Sequence, residues 1–171
     1  MNPPVETLFL DAQQPNGDYV NQWFPDDANG DLHKIQFGFE FGDLAYGANE
    51  PGYAIVGADL NRYTTTGGVK KQARYRQTWQ RRSAAIQELH DFTNIFNLVE
   101  TVLTNAPIGS ETYTRALTNA VDVEEWFKGD VTQHLYNNYD SYSYGGGQNA
   151  FAYKPERDTW KLLIWDNDFA F

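Results

Sequence analysis

The sequence predicts an α+β fold, on three observations. Ile35, Phe37, Phe39 and Phe41 alternate with Gln36, Gly38 and Glu40, the period-two mark of a half-buried strand. Ile86, Leu89, Phe92, Phe96, Val99 and Leu103 recur at three- and four-residue steps, the stripe of an amphipathic helix. Phe151 to Lys154 and the apolar run Leu162-Leu163-Ile164 flank Pro155-Glu156-Arg157-Asp158, whose turn residues fold the two strands into a hairpin. The unbroken apolar run suits a strand buried on both faces.

Composition bounds the rest. A chain of 171 residues, 41% hydrophobic and 16% aromatic, can bury one core and reads as a single domain or part of one. Without cysteine, neither disulfides nor thiolate metal sites are available. A net charge of -10 argues against a nucleic-acid binder or a membrane-surface binder, because both need basic surface. No apolar run reaches transmembrane length, and Met1-Asn2-Pro3-Pro4 lacks the basic and apolar regions of a signal peptide.

Taken in order, residues 1–31 hold two apolar clusters, Leu8-Phe9-Leu10 and Tyr19, Val20, Trp23, Phe24, among turn-forming residues, and read as a strand, a short helix and loops. Asp26, Asp27, Asn29 and Asp31 are spaced like the start of a calcium loop, but the closing bidentate Glu is missing, so the segment reads as a turn. After the alternating strand, residues 42–68 form connecting loop with one short apolar piece, Tyr53 to Val56. Lys70, Lys71, Arg74, Arg76, Arg81 and Arg82 then place 6 of the chain's 13 cationic residues in one segment. Two readings stand: a clamp for phosphate or an acidic substrate, with Arg74 and Arg76 as its contacts, or a cationic face paired with the protein's own carboxylates.

Ser83 is placed to cap the long helix, which stops before Pro107; His90 beside its stripe reads as a packing residue. Ser110 caps a second helix running to Ala120. Asp122-Val123-Glu124-Glu125 is an acidic capping box with Glu125 at its fourth position. The helix it opens carries Trp126, Phe127, Val131 and Leu135 and runs into Asn138-Tyr139-Asp140. His134, six residues before Asp140, is too far from it to copy the His-Arg-Asp of a kinase and is assigned a structural role.

The chemistry concentrates at the end. Asp140 lies in a loop, Asn149 follows nine positions later beyond a Tyr/Ser/Gly-rich insert, and Asp166 and Asp168 follow the apolar strand. Protein kinases place a catalytic base, a metal-binding Asn and a metal-binding Asp in this order. The spacing from Asp140 to Asn149 exceeds the usual kinase Asp-x4-Asn, with Tyr144-Gly145-Gly146-Gly147 as the insert. The hairpin is expected to bring Asn149 back toward Asp166.

Asn138-Tyr139-Asp140, Asn149-Ala150-Phe151-Ala152-Tyr153 and Trp165-Asp166-Asn167-Asp168-Phe169 resemble the signature of the spore-coat protein H (CotH) kinase-like family, which carries an Asn-x-Asp, an Asn-x-x-x-Tyr strand and a Trp-Asp-x-Asp ending. Gly30-Asp31-Leu32-His33-Lys34 is similar to a second family feature, with His33 where Tyr is usual. The resemblance implies a protein-kinase-like fold, mostly its helical C-lobe portion with short β-hairpins carrying the site. It also implies an ATP-dependent phosphotransferase using Mg2+ or Mn2+, acting on Ser or Thr of a coat or cell-surface protein outside the cytoplasm. In that reading Asp140 orients or deprotonates the acceptor, and Asn149, Asp166 and Asp168 serve the metal. Lys34 is a candidate for the phosphate-binding lysine and, as the bland alternative, a surface residue at a strand end. With no strand-rich upper lobe evident before Phe24, and with little chain beyond Asp168, residues 1–171 are expected to be a partial domain.

Two other readings are weighed. Asp166-Asn167-Asp168 after an apolar strand could be the metal-binding Asp-x-Asp of a nucleotide-sugar transferase, which leaves Asp140 and Asn149 without a role. The aromatic content and the Tyr/Gly insert also suit an adhesion or carbohydrate-binding module in which the carboxylates hold a structural Ca2+.

Overall fold

A computed structural model of the chain describes residues 13–40, 54–83, 91–144 and 147–166. The fold is α+β, as the sequence predicts. A four-stranded antiparallel sheet in the order β4-β1-β5-β6 is made by Trp79–Ser83 (β4), Asp31–Ile35 (β1), Ala150–Lys154 (β5) and Lys161–Ile164 (β6). A two-stranded sheet pairs Gly38–Glu40 (β2) with Ala54–Val56 (β3). The helices are Gly17–Trp23 (α1), Gln72–Thr78 (α2), Thr93–Val102 (α3), Glu111–Ala120 (α4) and Val123–Leu135 (α5).

Alternation along the central strands divides the core in two. On one face of the sheet Ile35, Trp79, Ala150, Ala152 and Trp160 meet Tyr75 from α2 and Ile95, Leu98 and Val99 from α3. On the other, Leu32, Phe151 and Tyr153 meet Val20 from α1, with Phe24, Leu163 and Trp165 alongside. Strand β5 is buried on both faces, with Phe151, Ala152 and Tyr153 fully enclosed. The apolar run expected to be doubly buried is instead β6, an edge strand: its residues are half-buried and Ile164 is 37% exposed, because only β5 flanks it in the sheet.

The alternating segment from Ile35 to Phe41 is not one strand. Strand β1 ends at Ile35, the Gln36 N–H turns to the Thr78 carbonyl (3.1 Å), and β2 restarts at Gly38 in the other sheet. Gly38 lies so close to α2 that a Cβ there would stand 2.9 Å from Cβ of Gln77, which accounts for a glycine at the crossover. Phe37 and Phe39 are consequently exposed. Leu8-Phe9-Leu10, Phe41 and Tyr53 lie outside the described residues.

The long helix expected from Ser83 starts later. Ser83 is the last residue of β4, and α3 begins at Thr93, whose N–H is accepted by Asp91 Oδ1 at 2.8 Å. Sheet pairing along β1 and complete burial of Trp79 hold residues 79–83 extended, overriding the helical preference of Gln and Arg. Ile86, Leu89 and His90 lie outside the described residues. The cationic segment also contains a short helix, α2, that the sequence reading did not anticipate.

The later helices start where expected. Ser110 Oγ accepts the Tyr113 N–H (3.2 Å), and Asp122 Oδ1 accepts the Glu125 N–H (3.1 Å). The capping box is only half made, because Glu125 Oε2 accepts the Leu162 N–H of β6 (3.2 Å) instead of turning back to its own helix. That contact ties α5 to the sheet, and burial raises the Glu125 pKa. The acidic segment holds a single 3-10 turn, Pro25–Asp27, while Asp31 already belongs to β1; Asp27 accepts the N–H groups of Glu156 and Arg157, both at 3.0 Å, and so locks the far end of the β5–β6 hairpin. Among the described residues no helix is long and apolar enough to cross a membrane.

Candidate active site

Helix α5 delivers the loop. Its only buried residue is polar, Gln133. The chain leaves the helix through Asn137, in the left-handed region at φ 54, and the Asn138 N–H returns to the Gln133 carbonyl (3.0 Å). Asn138 is 1% exposed. Its Oδ1 accepts the Asp140 N–H (3.3 Å), so the side chain shapes the turn that presents Asp140.

The Asp140 carboxylate is held by amides. Gln148 Nε2 donates to Oδ1, and Asn149 Nδ2 donates to Oδ2 at 2.8 Å and to the Asp140 carbonyl at 3.0 Å. The insert between them closes tightly: the Gly147 N–H donates to the Tyr142 carbonyl (2.9 Å), and Gly147 sits at φ 85 against the backbone of Ala58. A Cβ at position 147 would stand 2.8 Å from the Ala58 nitrogen, so space and backbone angle both call for glycine. Tyr142 anchors the loop from below, packed edge-on against Trp126 with ring centroids 6.2 Å apart.

The hairpin register brings the second acid, Asp166, to the same end of the sheet as Asn149. Ala150 pairs with Ile164, so Asn149, just before Ala150, and Asp166, two residues past Ile164, lie at the same end of the sheet. Trp165 packs edge-on against Phe151, with centroids 5.6 Å apart, and fixes the chain just before Asp166. Asp166 and Asn149 take left-handed backbone angles, φ 59 and φ 56, as Asn137 does. All three are Asn or Asp, the non-glycine types that take this region most readily, and each makes a sharp turn in the chain around the site. Asn138 Nδ2 reaches the Asp166 carbonyl at 3.4 Å.

The remaining candidates fall elsewhere. Lys34 is not at a strand end on the surface: it is half-buried in the central strand β1, opposite Phe151 and Gln80 and one residue in from the sheet end that carries Asn149 and Asp166. Arg74 is turned into the fold, its guanidinium 3.3 Å from the centroid of Tyr63 and 3.4 Å from Asp59 Oδ1. Arg81 pairs with Asp31, and Lys70 lies over the Phe96 ring. Pairing with the protein's own acids and rings therefore describes these three, while Arg76 is exposed on the outer side of α2. Asp168 and Asn167 lie outside the described residues.

Sequence reasoning missed Gln133 and Gln148, and it named Asn138 only within the Asn-x-Asp motif, without a role of its own. The available signal was position: Asn138 stands two residues before Asp140, where His-Arg-Asp places its histidine. His134, the residue weighed for that place, is partly exposed, with Nδ1 2.9 Å from the Asp130 carbonyl and its ring against Tyr144.

The CotH kinase protein family matches residues 8–171. The chain belongs to that family. No curated protein and no solved structure matches it. Membership makes the CotH chain kinase-like at the coarse level.

The donor set suits a hard divalent cation. With Asn149 Nδ2 turned to Asp140, the planar amide directs Oδ1 the other way, and carboxylate and amide oxygens are the donors Mg2+ and Mn2+ prefer. Among the described residues no three acids or histidines converge, and Asp166 and Asn149 are the residues whose oxygens could hold such an ion.

Proposed function

We propose that this CotH chain carries the acceptor-activating and metal-holding part of a phosphotransferase that moves the γ-phosphoryl group of ATP to Ser or Thr hydroxyls of a protein. The observation that supports this most directly is the Asp140 carboxylate: it is held in place by neutral amides rather than by a cation, at the sheet end that also carries Asp166. Such contacts fix the direction of the carboxylate without an ion pair, and a group accepting a hydroxyl proton must be aimed.

The roles follow from position. Asp140 orients the acceptor hydroxyl and takes its proton. Asn149 links base and metal, its amide nitrogen on Asp140 and its oxygen available to Mg2+ or Mn2+. Asp166 holds the metal with it, and Asp168 supports that set. A bound divalent ion neutralises charge on the transferring phosphoryl group. Lys34 is the cation nearest the site along the sheet and is assigned to phosphate; Arg76, exposed on α2, is a candidate contact for an acidic substrate. The substrate class is a coat or cell-surface protein, and the setting is outside the cytoplasm. A nucleotide-sugar transferase reading gives the Asp140–Asn149 contact no work, and a binding module would use the carboxylates only to hold a structural Ca2+.

Calorimetric titration of Mg-ATP and Mn-ATP into the wild type, Asp166→Ala and Asp140→Asn tests this. Asp166→Ala should abolish metal-dependent nucleotide binding. Asp140→Asn should bind but transfer phosphate at least 100-fold more slowly, the scale of a lost general base. Unchanged binding by Asp166→Ala defeats the reading; binding of a UDP-sugar but not ATP would favour the transferase, and stabilisation by Ca2+ alone the binding module.

A further inference from the structure

We propose that Asn138, anchored by Gln133, is the positioning residue that fixes Asp140 relative to Asp166; its meaning for catalysis rests on the phosphotransferase reading above. The side chain is 1% exposed and touches three separate elements. Its Nδ2 donates to Gln133 Oε1 of α5 at 2.7 Å and to the Asp166 carbonyl beyond β6 at 3.4 Å, while its Oδ1 accepts the Asp140 N–H at 3.3 Å. One planar amide therefore spans the base loop and the metal-holding turn. Both ends of that span are sharp turns, with Asn137 and Asp166 at φ 54 and φ 59 in the left-handed region that Asn and Asp adopt more readily than other non-glycine residues.

Gln133 completes the device. A helix that packs on a sheet ordinarily buries apolar side chains, yet the only buried residue of α5 is this glutamine, aimed at Asn138. The Asp140 N–H and the Asp166 carbonyl fix which way the Asn138 amide faces, and Gln133 then presents Oε1 to Nδ2. The orientation of α5 is thus transmitted to both carboxylate-bearing segments. An amide in this place also carries no proton that titrates near neutrality, so the coupling between the two acids is independent of pH where an imidazole would not be.

The test uses the full chain and two variants. Asn138→Asp keeps the shape and the oxygen facing Asp140 but replaces the donor by an acceptor that opposes both Gln133 Oε1 and the Asp166 carbonyl. Gln133→Met removes the anchor and leaves Asn138 in place, so it decides the matter should Asn138→Asp not fold. In nucleotide-free protein, NMR should show the Asp166 carbonyl and the Asp140 amide shifting together in either variant while the middle of β5 stays fixed. Unmoved Asp166 signals would overturn the inference, whether or not the wild type binds nucleotide. In the Mn-ATP titration each variant should bind at least tenfold more weakly with wild-type helix content, and Asn138→His should introduce a pH step near neutrality that the wild type lacks. Signals that move while Mn-ATP affinity and its pH profile stay unchanged would overturn the catalytic part. Absence of Mn-ATP binding by the wild type would instead defeat the phosphotransferase reading, with the NMR result still deciding the clamp.

Discussion

Two acids in this molecule are each buried or half-buried, each held by an asparagine, and do opposite jobs. Asp31, at the start of β1, accepts Asn94 Nδ2 at 2.8 Å and faces the Arg81 guanidinium at 3.3 Å, with the two charged side chains only 12% and 6% exposed. Asp140 accepts Asn149 Nδ2 at the same 2.8 Å and Gln148 beside it, and its partners among the described residues are neutral. The first arrangement cancels a charge and joins β1, β4 and α3. The second fixes a charge in direction and leaves it uncancelled. A carboxylate whose charge is matched inside the fold serves the scaffold, whereas one held by amides alone still has an affinity for a cation or a proton.

The comparison can be broken most forcefully at Arg81. Arg81→Met strands the Asp31 carboxylate without its counter-charge and should destabilise the chain by about 3–5 kcal/mol in urea unfolding, the usual cost of breaking a buried pair. Asp140→Asn should cost less, about 1–2 kcal/mol, because one amide donor loses its acceptor but no counter-charge is stranded. Equal effects at the two positions would erase the distinction.

The pH dependence separates them next. His33 lies fully buried beside the Asp31–Arg81 pair, with Nδ1 on the Trp79 carbonyl (3.1 Å) and Nε2 without a hydrogen-bond partner, and burial lowers its pKa to about 4. In the unfolded chain the imidazole takes its proton near the ordinary 6.5, and in the native one only near 4, so acid favours unfolding between those values. Stability contributed by keeping His33 neutral is complete above pH 6.5 and declines as pH falls toward 4, by about 3 kcal/mol in all. Urea midpoints at pH 7, 5.5 and 4.5 should show this slope in the wild type and a flatter one in His33→Gln. A slope untouched by the substitution would show that other groups carry the acid response.

The smallest effect sharpens the site side. Gln148→Glu sets a second carboxylate against Asp140 and should lower stability by about 1 kcal/mol without metal, as for two close charges in a partly wet setting. Mn2+ should restore it and raise the melting temperature more than in the wild type. A melting temperature indifferent to Mn2+ in both proteins would remove the argument that the uncancelled charge awaits a cation.

Legibility followed the range of the interactions involved. The caps Ser110 and Asp122, the turn at Pro155-Glu156-Arg157-Asp158 and the order Asp140, Asn149, Asp166 are local in the chain, and the sequence by itself determined them, because a cap or a hairpin depends on residues a few positions apart. The hairpin it specifies is enough to set Asn149 and Asp166 at one end of the sheet. Tertiary structure alone decided which strand is central. Nothing in Leu162-Leu163-Ile164 reveals that it lies at an edge while Phe151-Ala152-Tyr153 lies inside, since burial depends on a strand more than a hundred residues away, β1, that pairs with one and not the other. The same long-range pairing made Ser83 the last residue of a strand where the local pattern made it a helix cap, and it turned Arg81 from a member of the candidate phosphate clamp into the partner of Asp31. Asn138 belongs to both accounts. Its place two residues before Asp140 was written in the sequence, but its grip on Asp166 required the α5, loop and β6 segments to meet, and only the folded chain brings them together.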